Sequence, residues 1–163
     1  MSQPLFENPA IYVDADACPV KDEVLKVAER HGLIVTFVSN GGLRPSRDPM
    51  VRHVVVSKGA DAADDWIVEH VTAGDIVVTA DIALASRCLA KGAAALGNTG
   101  APFTEDNIGD AMATRTLLAE LRGAGEITKG PRAFTARDRS RFLQSLEDAV
   151  QRSLREQRRD ARS

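Results

Sequence analysis

Residues 10–38, AIYVDADACPVKDEVLKVAERHGLIVTFV, predict a strand, a helix and a second strand in direct succession. The apolar runs Ala10–Asp14 and Leu33–Val38 are short and continuous, as strands buried on both faces are. Between them, Pro19 suits the first turn of a helix and Gly32 suits its C-terminal cap. Two such strands joined by a helix predict a parallel pair in an α/β sheet. Apolar residues recur at helical spacing between the strands: Val20, Val24, Val27 and Ala28.

The same alternation continues toward the C-terminus. Asp61 opens a helix, and Asp64 three residues later resembles a capping box. The sequence therefore predicts a three-layer α/β/α fold with a mainly parallel central sheet and C-terminal helices. Residues 1–154 are expected to form a single domain, and the polar, basic residues 155–163 a disordered tail. The predicted elements after the second strand are strands at His53–Ser57, Asp75–Thr79 and Ala93–Leu96, a helix from Asp61, and helices over Ile82–Lys91, Asp106–Arg122 and Ala136–Leu154.

The composition is that of a globular protein with one hydrophobic core. Of the 163 residues, 44% are hydrophobic and 27% are charged, which excludes a wholly disordered chain. No stretch approaches the roughly 20 apolar residues of a membrane-spanning helix, and no secretory signal is visible at the N-terminus. Two cysteines are too few for a disulfide framework. These features predict a reduced, cytoplasmic protein.

The formal net charge of −2 combines two unlike parts. Residues 1–129 hold 12 Lys and Arg against 18 Asp and Glu, whereas residues 130–163 hold 9 against 5. Aromatic residues make up only 4%, which leaves little material for a surface that stacks nucleic-acid bases. The overall balance does not indicate a nucleic-acid-binding protein, so the placement of the acids carries more information than their number.

Aspartates follow the predicted strands at the points where those strands end. Asp14 and Asp16 close the first strand, and Asp81 lies two residues after the fourth. Since the carboxyl ends of parallel strands share one edge of the sheet, these acids should meet in the crevice there. Clustered carboxylates repel one another unless a cation neutralises them, and oxygen ligands favour Mg²⁺ or Mn²⁺. The alternative is that each acid only caps a helix or forms a turn.

Three further acids begin the helix after the third strand: Asp61, Asp64 and Asp65. At about 100° per residue, Asp64 lies on the flank of the apolar face, whereas Asp61 and Asp65 point nearer to solvent. We therefore predict Asp64 as a member of the site, with Asp61 and Asp65 as helpers. A divalent ion activates water and stabilises charge on a phosphoryl group, so phosphodiester or phosphate-ester cleavage is the predicted chemistry. The candidates for catalysis and metal binding are Asp14, Asp16, Asp64 and Asp81.

Several segments resemble the bacterial YaiI/YqxD family. They are IYVDADACPVKDEV, GADAADDWIV, GDIVVTADIALA, KGAAAL and GPRAFTARDRSRF, in order over about residues 10–146. The resemblance implies a PIN-like α/β fold and metal-dependent RNase activity. It matches Asp14 and Asp16 to the first-strand acids. Asp64 matches the helix acid, and Asp81 the acid after the fourth strand. The chain departs from the family at Gly97–Gly100, where an Asn-Pro-Arg-Gly turn is usual, so this turn offers no arginine to a phosphate.

Two groups of arginines are candidates for contact with RNA. The Gly and Pro content of Asn40–Pro49 predicts a loop, and Arg44, Arg47 and Arg52 lie in it or just after it. These three either grip a phosphate backbone beside the acids or belong to a solvated surface. A second group is more typical of a solvated helix face, or else adds salt-sensitive affinity together with the basic tail: Arg132, Arg137, Arg139 and Arg141.

Cys18 directly precedes a predicted helix N-terminus, a position that lowers the pKa of a thiol and favours the thiolate. No histidine lies near it in the sequence, so packing as a small buried hydrophobic residue is the favoured interpretation and a nucleophilic role the alternative.

The sequence agrees with three different functions. The leading hypothesis is a metal-dependent nuclease of PIN type that uses Mg²⁺ or Mn²⁺ and cleaves RNA or another phosphodiester. The second is a phosphohydrolase of the haloacid dehalogenase type, because DADA at Asp14–Ala17 fits its opening motif and Thr79 its later threonine, although no acidic pair follows Thr79. The third is a non-catalytic RNA-binding or interaction module on a PIN-like scaffold.

Overall fold

The computed structural model describes residues 9–16, 18–41, 46–57, 59, 61–109 and 134–162. Residues 105–109 are helical in addition to the labelled elements. The strands are β1 (Ile11–Asp14), β2 (Val35–Ser39), β3 (Val51–Val55), β4 (Ile76–Val78), β5 (Ala94–Leu96) and β6 (Pro102–Phe103). The helices are α1 (Lys21–His31), α2 (Ala62–His70), α3 (Ile82–Ala90) and α4 (Ala136–Arg162).

The strands form one sheet in the order β3-β2-β1-β4-β5-β6. The first five strands are parallel, and only the short β6 runs antiparallel to β5. The chain moves outward from β1 to β3 on one side, then returns to place β4 against the other side of β1. The direction of strand order therefore reverses between β1 and β4, and a crevice opens outside the carboxyl ends of the strands at such a point.

Helices cover both faces of the sheet, which confirms the predicted three-layer α/β/α fold. Apolar residues of α1 and α4 pack on one face, with Phe142 and Leu146 fully buried against Ile11 and Val13 of β1. Residues of α2 and α3 pack on the other face around Val77. Alternate residues of each strand thus enter different cores, and this explains why the strands read as continuous apolar runs.

Side-chain contacts fix the direction of α4 along the sheet. Arg139, in the first turn, donates to the carbonyl of Pro19 at 2.8 Å and to Glu23 Oε1 at 3.0 Å, near the start of α1. Glu147 contacts Arg30 at 2.6 Å and His31 at 2.7 Å, at the end of α1. Burial favours a raised pKa for Glu147, but hydrogen bonds from Gln151, His31 and Arg30 outweigh it and lower the pKa.

The structure differs from the sequence predictions at several element ends. Pro19 lies before the N-cap residue Val20 instead of inside the first turn of α1, whereas Gly32 caps the helix with φ of 66° as predicted. The strand β6 was not predicted, because two residues are too short to carry a periodic pattern. The expected disorder of the tail is wrong for residues 155–162, which continue α4. Most of the predicted helix Asp106–Arg122 lies outside the described residues.

None of the helices in the described part of the chain combines the length and the apolar composition that crossing a bilayer requires.

Candidate functional site

The carboxyl ends of β1 and β4 bring the predicted acids to the reversal point of the sheet. Asp14 is the last residue of β1, and Asp81 follows β4 at the start of α3. Asp64 lies in the first turn of α2, which also begins at this edge. Three separate elements thus deliver acids to one crevice, as the parallel topology predicts.

Thr79 links the two strand ends through its hydroxyl. The Thr79 side chain is buried and donates to Asp14 Oδ2 at 3.0 Å. The Thr79 hydroxyl oxygen in turn accepts from the backbone N–H of Asp81 at 2.9 Å. Burial raises the pKa of Asp14, the hydrogen bond from Thr79 offsets part of this, and the Asp16 and Asp81 carboxylates raise it further. Through these two hydrogen bonds, the Asp81 backbone orients the Thr79 hydroxyl, and this hydroxyl orients the Asp14 carboxylate.

Asp81 is also the N-cap of α3. Its Oδ1 accepts from the backbone N–H of Leu84 at 3.1 Å, which is the usual bond of an N-cap carboxylate. The capping interpretation is therefore correct for Asp81, and it does not compete with a role in the crevice, because capping fixes the direction of this side chain.

Asp64 is the acid with the largest electrostatic perturbation. It is half-buried, whereas Asp61 and Asp65 are exposed, and this matches the helical-wheel expectation. Burial raises its pKa to about 6, the carboxylates of Asp81, Asp14 and Asp61 add to the effect, and Arg87 opposes it. Asp64 therefore senses the acids at the ends of both β1 and β4.

Asp16 is held at the neighbouring strand end. Its Oδ2 accepts from the backbone N–H of Asn40 at 3.2 Å, and Asn40 Nδ2 donates to the carbonyl of Ser57 at 2.9 Å. Asn40 thus joins the carboxyl ends of β1, β2 and β3. Asn40 and Thr79 both follow a strand end, as the predicted aspartates do, but neither was predicted to have this role.

The two predicted helper acids, Asp61 and Asp65, make different contacts. Asp61 occupies the N-cap position of α2, but its side chain makes no capping hydrogen bond, so the predicted capping box is not formed. Asp65 pairs with Arg87 of α3 at 2.9 Å on the exposed surface. Asp61 thus contributes negative charge near Asp64, whereas the charge of Asp65 is matched locally by Arg87.

The chemistry of this donor set fits a hard divalent cation. All the gathered ligands are carboxylate oxygens, and their mutual repulsion is the cost that such a cation would remove. Within the described residues, no three or more His, Cys, Asp or Glu side chains are already placed to hold a metal ion. Binding therefore requires side-chain rotation, for which the exposed Asp16 and Asp61 have room.

The candidate arginines fall into three groups. Arg44 and Arg132 lie outside the described residues. Arg47 and Arg52, like Arg137 and Arg141, are exposed. Arg139 is not a freely solvated side chain, because it binds Pro19 and Glu23 and its guanidinium lies 5.0 Å from the Phe134 ring centroid. Its contacts assign Arg139 to packing of α4 on α1.

The contacts of Cys18 agree with the packing interpretation. Burial raises the pKa of its thiol, and the opposing backbone hydrogen bond of Val20 and the charge of Lys21 are weaker. Cys18 packs against the core between α1, α4 and the sheet. Burial also raises the pKa of Cys88 to about 11. Both thiols thus favour the neutral form of a packing residue.

Replacing Asp64 by Asn should stabilise the metal-free protein at pH 7.5 and leave it unchanged at pH 4. The folded-state pKa of about 6 lies above the ordinary 3.8, so the native state is favoured by protonation and loses this advantage as the pH rises through 6. After allowance for solvent screening of a half-exposed group, the gain at pH 7.5 is about 0.5–1 kcal/mol. Urea unfolding in the presence of a chelator measures it.

The matched control is Asp65→Asn in the same helical turn. This change removes an exposed pair with Arg87, so it should cost at most about 0.5 kcal/mol and give no gain that depends on pH. An equal gain for Asp64→Asn at pH 4 and pH 7.5 would contradict the electrostatic explanation.

Comparison with known proteins gives one consistent family. A family model described as "Uncharacterized BCR, YaiI/YqxD family" matches residues 12–152. A UPF0178 protein of Mesorhizobium japonicum is 63% identical over 146 residues, which cover 90% of this chain and 94% of the relative. A UPF0178 protein of Rhodospirillum rubrum is 57% identical over 142 residues, or 86% of this chain and 95% of the relative. No solved structure matches the chain.

Proposed function

The chain belongs to the YaiI/YqxD family, and we propose that it is a metal-dependent nuclease that cleaves phosphodiester bonds in RNA. One observation carries the proposal: acids from β1, α2 and the start of α3 lie at the reversal point of a parallel sheet. This is where open α/β sheets bind ligands. A PIN-like fold, which the family resemblance implies, belongs to the same proposal.

Asp14 and Asp81 are the principal ligands of the proposed Mg²⁺ or Mn²⁺, with Asp16 and Asp64 completing the site. When bound, such an ion polarises a phosphoryl oxygen and lowers the pKa of water. The protein supports these ligands through three fixed bonds. Thr79 holds Asp14, the Leu84 N–H holds Asp81, and the Asn40 N–H holds Asp16.

In this proposal Asp64 also acts on the attacking water. The Asp64 pKa of about 6 describes the metal-free protein, and a bound cation would lower it and keep the side chain ionised. Its carboxylate would orient the attacking water and take a proton from it. Arg52, near the start of β3, and Arg47, just before it, would hold the phosphate backbone of the RNA farther from the acids, because β3 begins at the amino edge of the sheet.

The test uses the purified chain with a mixed set of fluorescent single-stranded and structured RNAs. We expect cleavage with Mn²⁺ or Mg²⁺, no cleavage with a chelator, and recovery when the metal is restored. Metal at 100 times its Kd should also stabilise the fold by about 2.7 kcal/mol in thermal unfolding. No cleavage of any RNA, together with no metal-dependent stabilisation, would count decisively against the nuclease.

A non-catalytic RNA-binding module is the second candidate. It is favoured by one observation, that no three or more His, Cys, Asp or Glu side chains among the described residues are placed to hold a metal ion. The two candidates differ in one result. A module binds RNA equally well with or without divalent metal and never cleaves it, whereas a nuclease loses cleavage and keeps binding when the metal is removed.

A further inference from the structure

The single tryptophan of the chain belongs to a cluster of rings beside the acidic crevice. Trp66 and His70, one turn apart on α2, stack with ring centroids 3.7 Å apart and planes inclined by 14°. The Tyr12 ring lies 6.1 Å from Trp66, and its hydroxyl donates to the carbonyl of His70 at 3.3 Å. Although aromatic residues are only 4% of the chain, three rings that can stack bases are therefore gathered in one place.

The rings are held rigidly but remain accessible. Trp66 and Tyr12 are half-buried and pack against the core under α2, whereas His70 is exposed. His70 Nδ1 lies 2.7 Å from the carbonyl of Trp66, which can only accept, so Nδ1 carries the hydrogen. This bond fixes the plane of the imidazole, and the stack thus presents a pre-oriented ring to solvent.

A cation lies on the same face of the sheet. Register pairs Tyr12 with Thr36 and Thr36 with Arg52, so Arg52 stands in the same row two strands away, about 10 Å from Tyr12. The Arg52 side chain is exposed. Burial and the Asp75 carboxylate raise the pKa of Tyr12, and Arg52 opposes them, which is consistent with its position near the ring.

The cluster lies on the same face of the sheet as the proposed active site and extends from it toward the amino edge. Tyr12 precedes Asp14 by two residues and faces the same side of the sheet, because strand side chains alternate. On α2, His70 lies about 9 Å along the helix axis from Asp64. An RNA strand with a phosphate at the acids can therefore reach these rings with its neighbouring nucleotides.

We propose that Tyr12, Arg52, Trp66 and His70 form a platform that binds unpaired bases and an adjacent phosphate of single-stranded RNA. The exposed His70 ring, backed by Trp66, offers its outer face to a base, and a nearby arginine holds the backbone. The platform rests on the proposed function for its choice of RNA, but it acts by binding and needs no cleavage. It confers a preference for single strands, since paired bases offer no free face.

The test exploits Trp66 as the only tryptophan. Fluorescence is measured with the full chain in a chelator, so that no cleavage occurs, while a 10-nucleotide oligo(A) is added. We expect saturable quenching by the single strand, little quenching by a duplex of equal length, and none by polyphosphate. Absence of quenching, equal quenching by polyphosphate, or a Trp66 signal that changes only with protein concentration would overturn the platform.

Variants distinguish a loss of the binding rings from a loss of the α2 structure that carries them. Trp66→Ala and His70→Ala should each weaken the binding of labelled oligo(A), measured by anisotropy, by about tenfold. The matched control is His53→Ala, because His53 stacks on Phe37 at 5.4 Å on the opposite face of the sheet. Circular dichroism must show α2 intact. Equal affinity for the Trp66 and His53 variants would refute the proposal.

The two proposals fail in different ways. Quenching without any metal-dependent cleavage would retain the platform and remove the nuclease. Cleavage that proceeds unchanged in Trp66→Ala, with the same KM for single-stranded RNA, would retain the nuclease and remove the platform.

Discussion

Asp14→Asn should reduce metal-dependent RNA cleavage by about 10²–10³-fold or more while leaving RNA affinity and the fold intact. Asn keeps the shape and can still accept from Thr79, but it removes the negative charge at the end of β1. The charge, and not the hydrogen bond, is what a divalent cation needs from this position. Initial rates at saturating Mn²⁺, with anisotropy for binding, measure the two effects separately.

Three further variants test whether the effect comes from this carboxylate and its orientation. Glu29→Gln removes an exposed carboxylate in the last turn of α1, at the opposite edge of the sheet, and should leave the rate unchanged. Thr79→Val removes the hydroxyl that orients Asp14, and Thr79→Ser restores one. We therefore expect an intermediate loss in the Val variant and near-normal rates in the Ser variant. Wild-type rates for Asp14→Asn would exclude this carboxylate from catalysis.

Gly100→Ala should destabilise the protein by about 3 kcal/mol, which is a large effect for the addition of one methyl group. Gly100 has φ of 86°, where an L side chain is strained, and it packs against the first half of α4. A Cβ atom would lie 2.7 Å from the carbonyl oxygen of Arg141 and 2.8 Å from Ser145 Oγ. The backbone of α4 would have to move, because its own hydrogen bonds hold that carbonyl in place.

The control for Gly100 is Gly32→Ala at the C-cap of α1. Gly32 has φ of 66°, but a Cβ atom there would meet nothing within 4 Å. This variant isolates the backbone strain, which we expect to cost about 1 kcal/mol. Urea unfolding of both variants gives the difference. Equal losses of stability in the two variants would show that α4 accommodates the added methyl group without a free-energy cost.

The sequence was sufficient for the layers of the fold and for the edge that carries the acids. Strands buried on both faces are continuous apolar runs, and Asp14 and Asp81 stand where such runs stop. The roles of Thr79 and Asn40 could not be predicted from the sequence, because they depend on which strands are neighbours in the sheet. β1 contacts both β2 and β4, and only this arrangement lets Thr79 reach Asp14 and Asn40 reach Asp16.

Local sequence rules failed where tertiary contacts decide the outcome. The tail looks disordered because it is polar, yet Ser153 donates to the carbonyl of Gly74 and Gln157 lies against the same glycine, so the helix continues along the sheet. Cys18 stands beside a helix start, but burial dominates its pKa. Neither contact has a signature in the local sequence.

The direction of α4 makes the molecule an electric dipole. Its contacts with Glu23 and then with Gly74 carry it from the carboxyl edge of the sheet to the amino edge. At the amino edge it exposes four arginines, whereas the carboxyl edge carries the aspartates. At low salt these arginines therefore attract a polyanion to the amino edge and raise its rate of association with the protein. The arginines are Arg152, Arg155, Arg158 and Arg159.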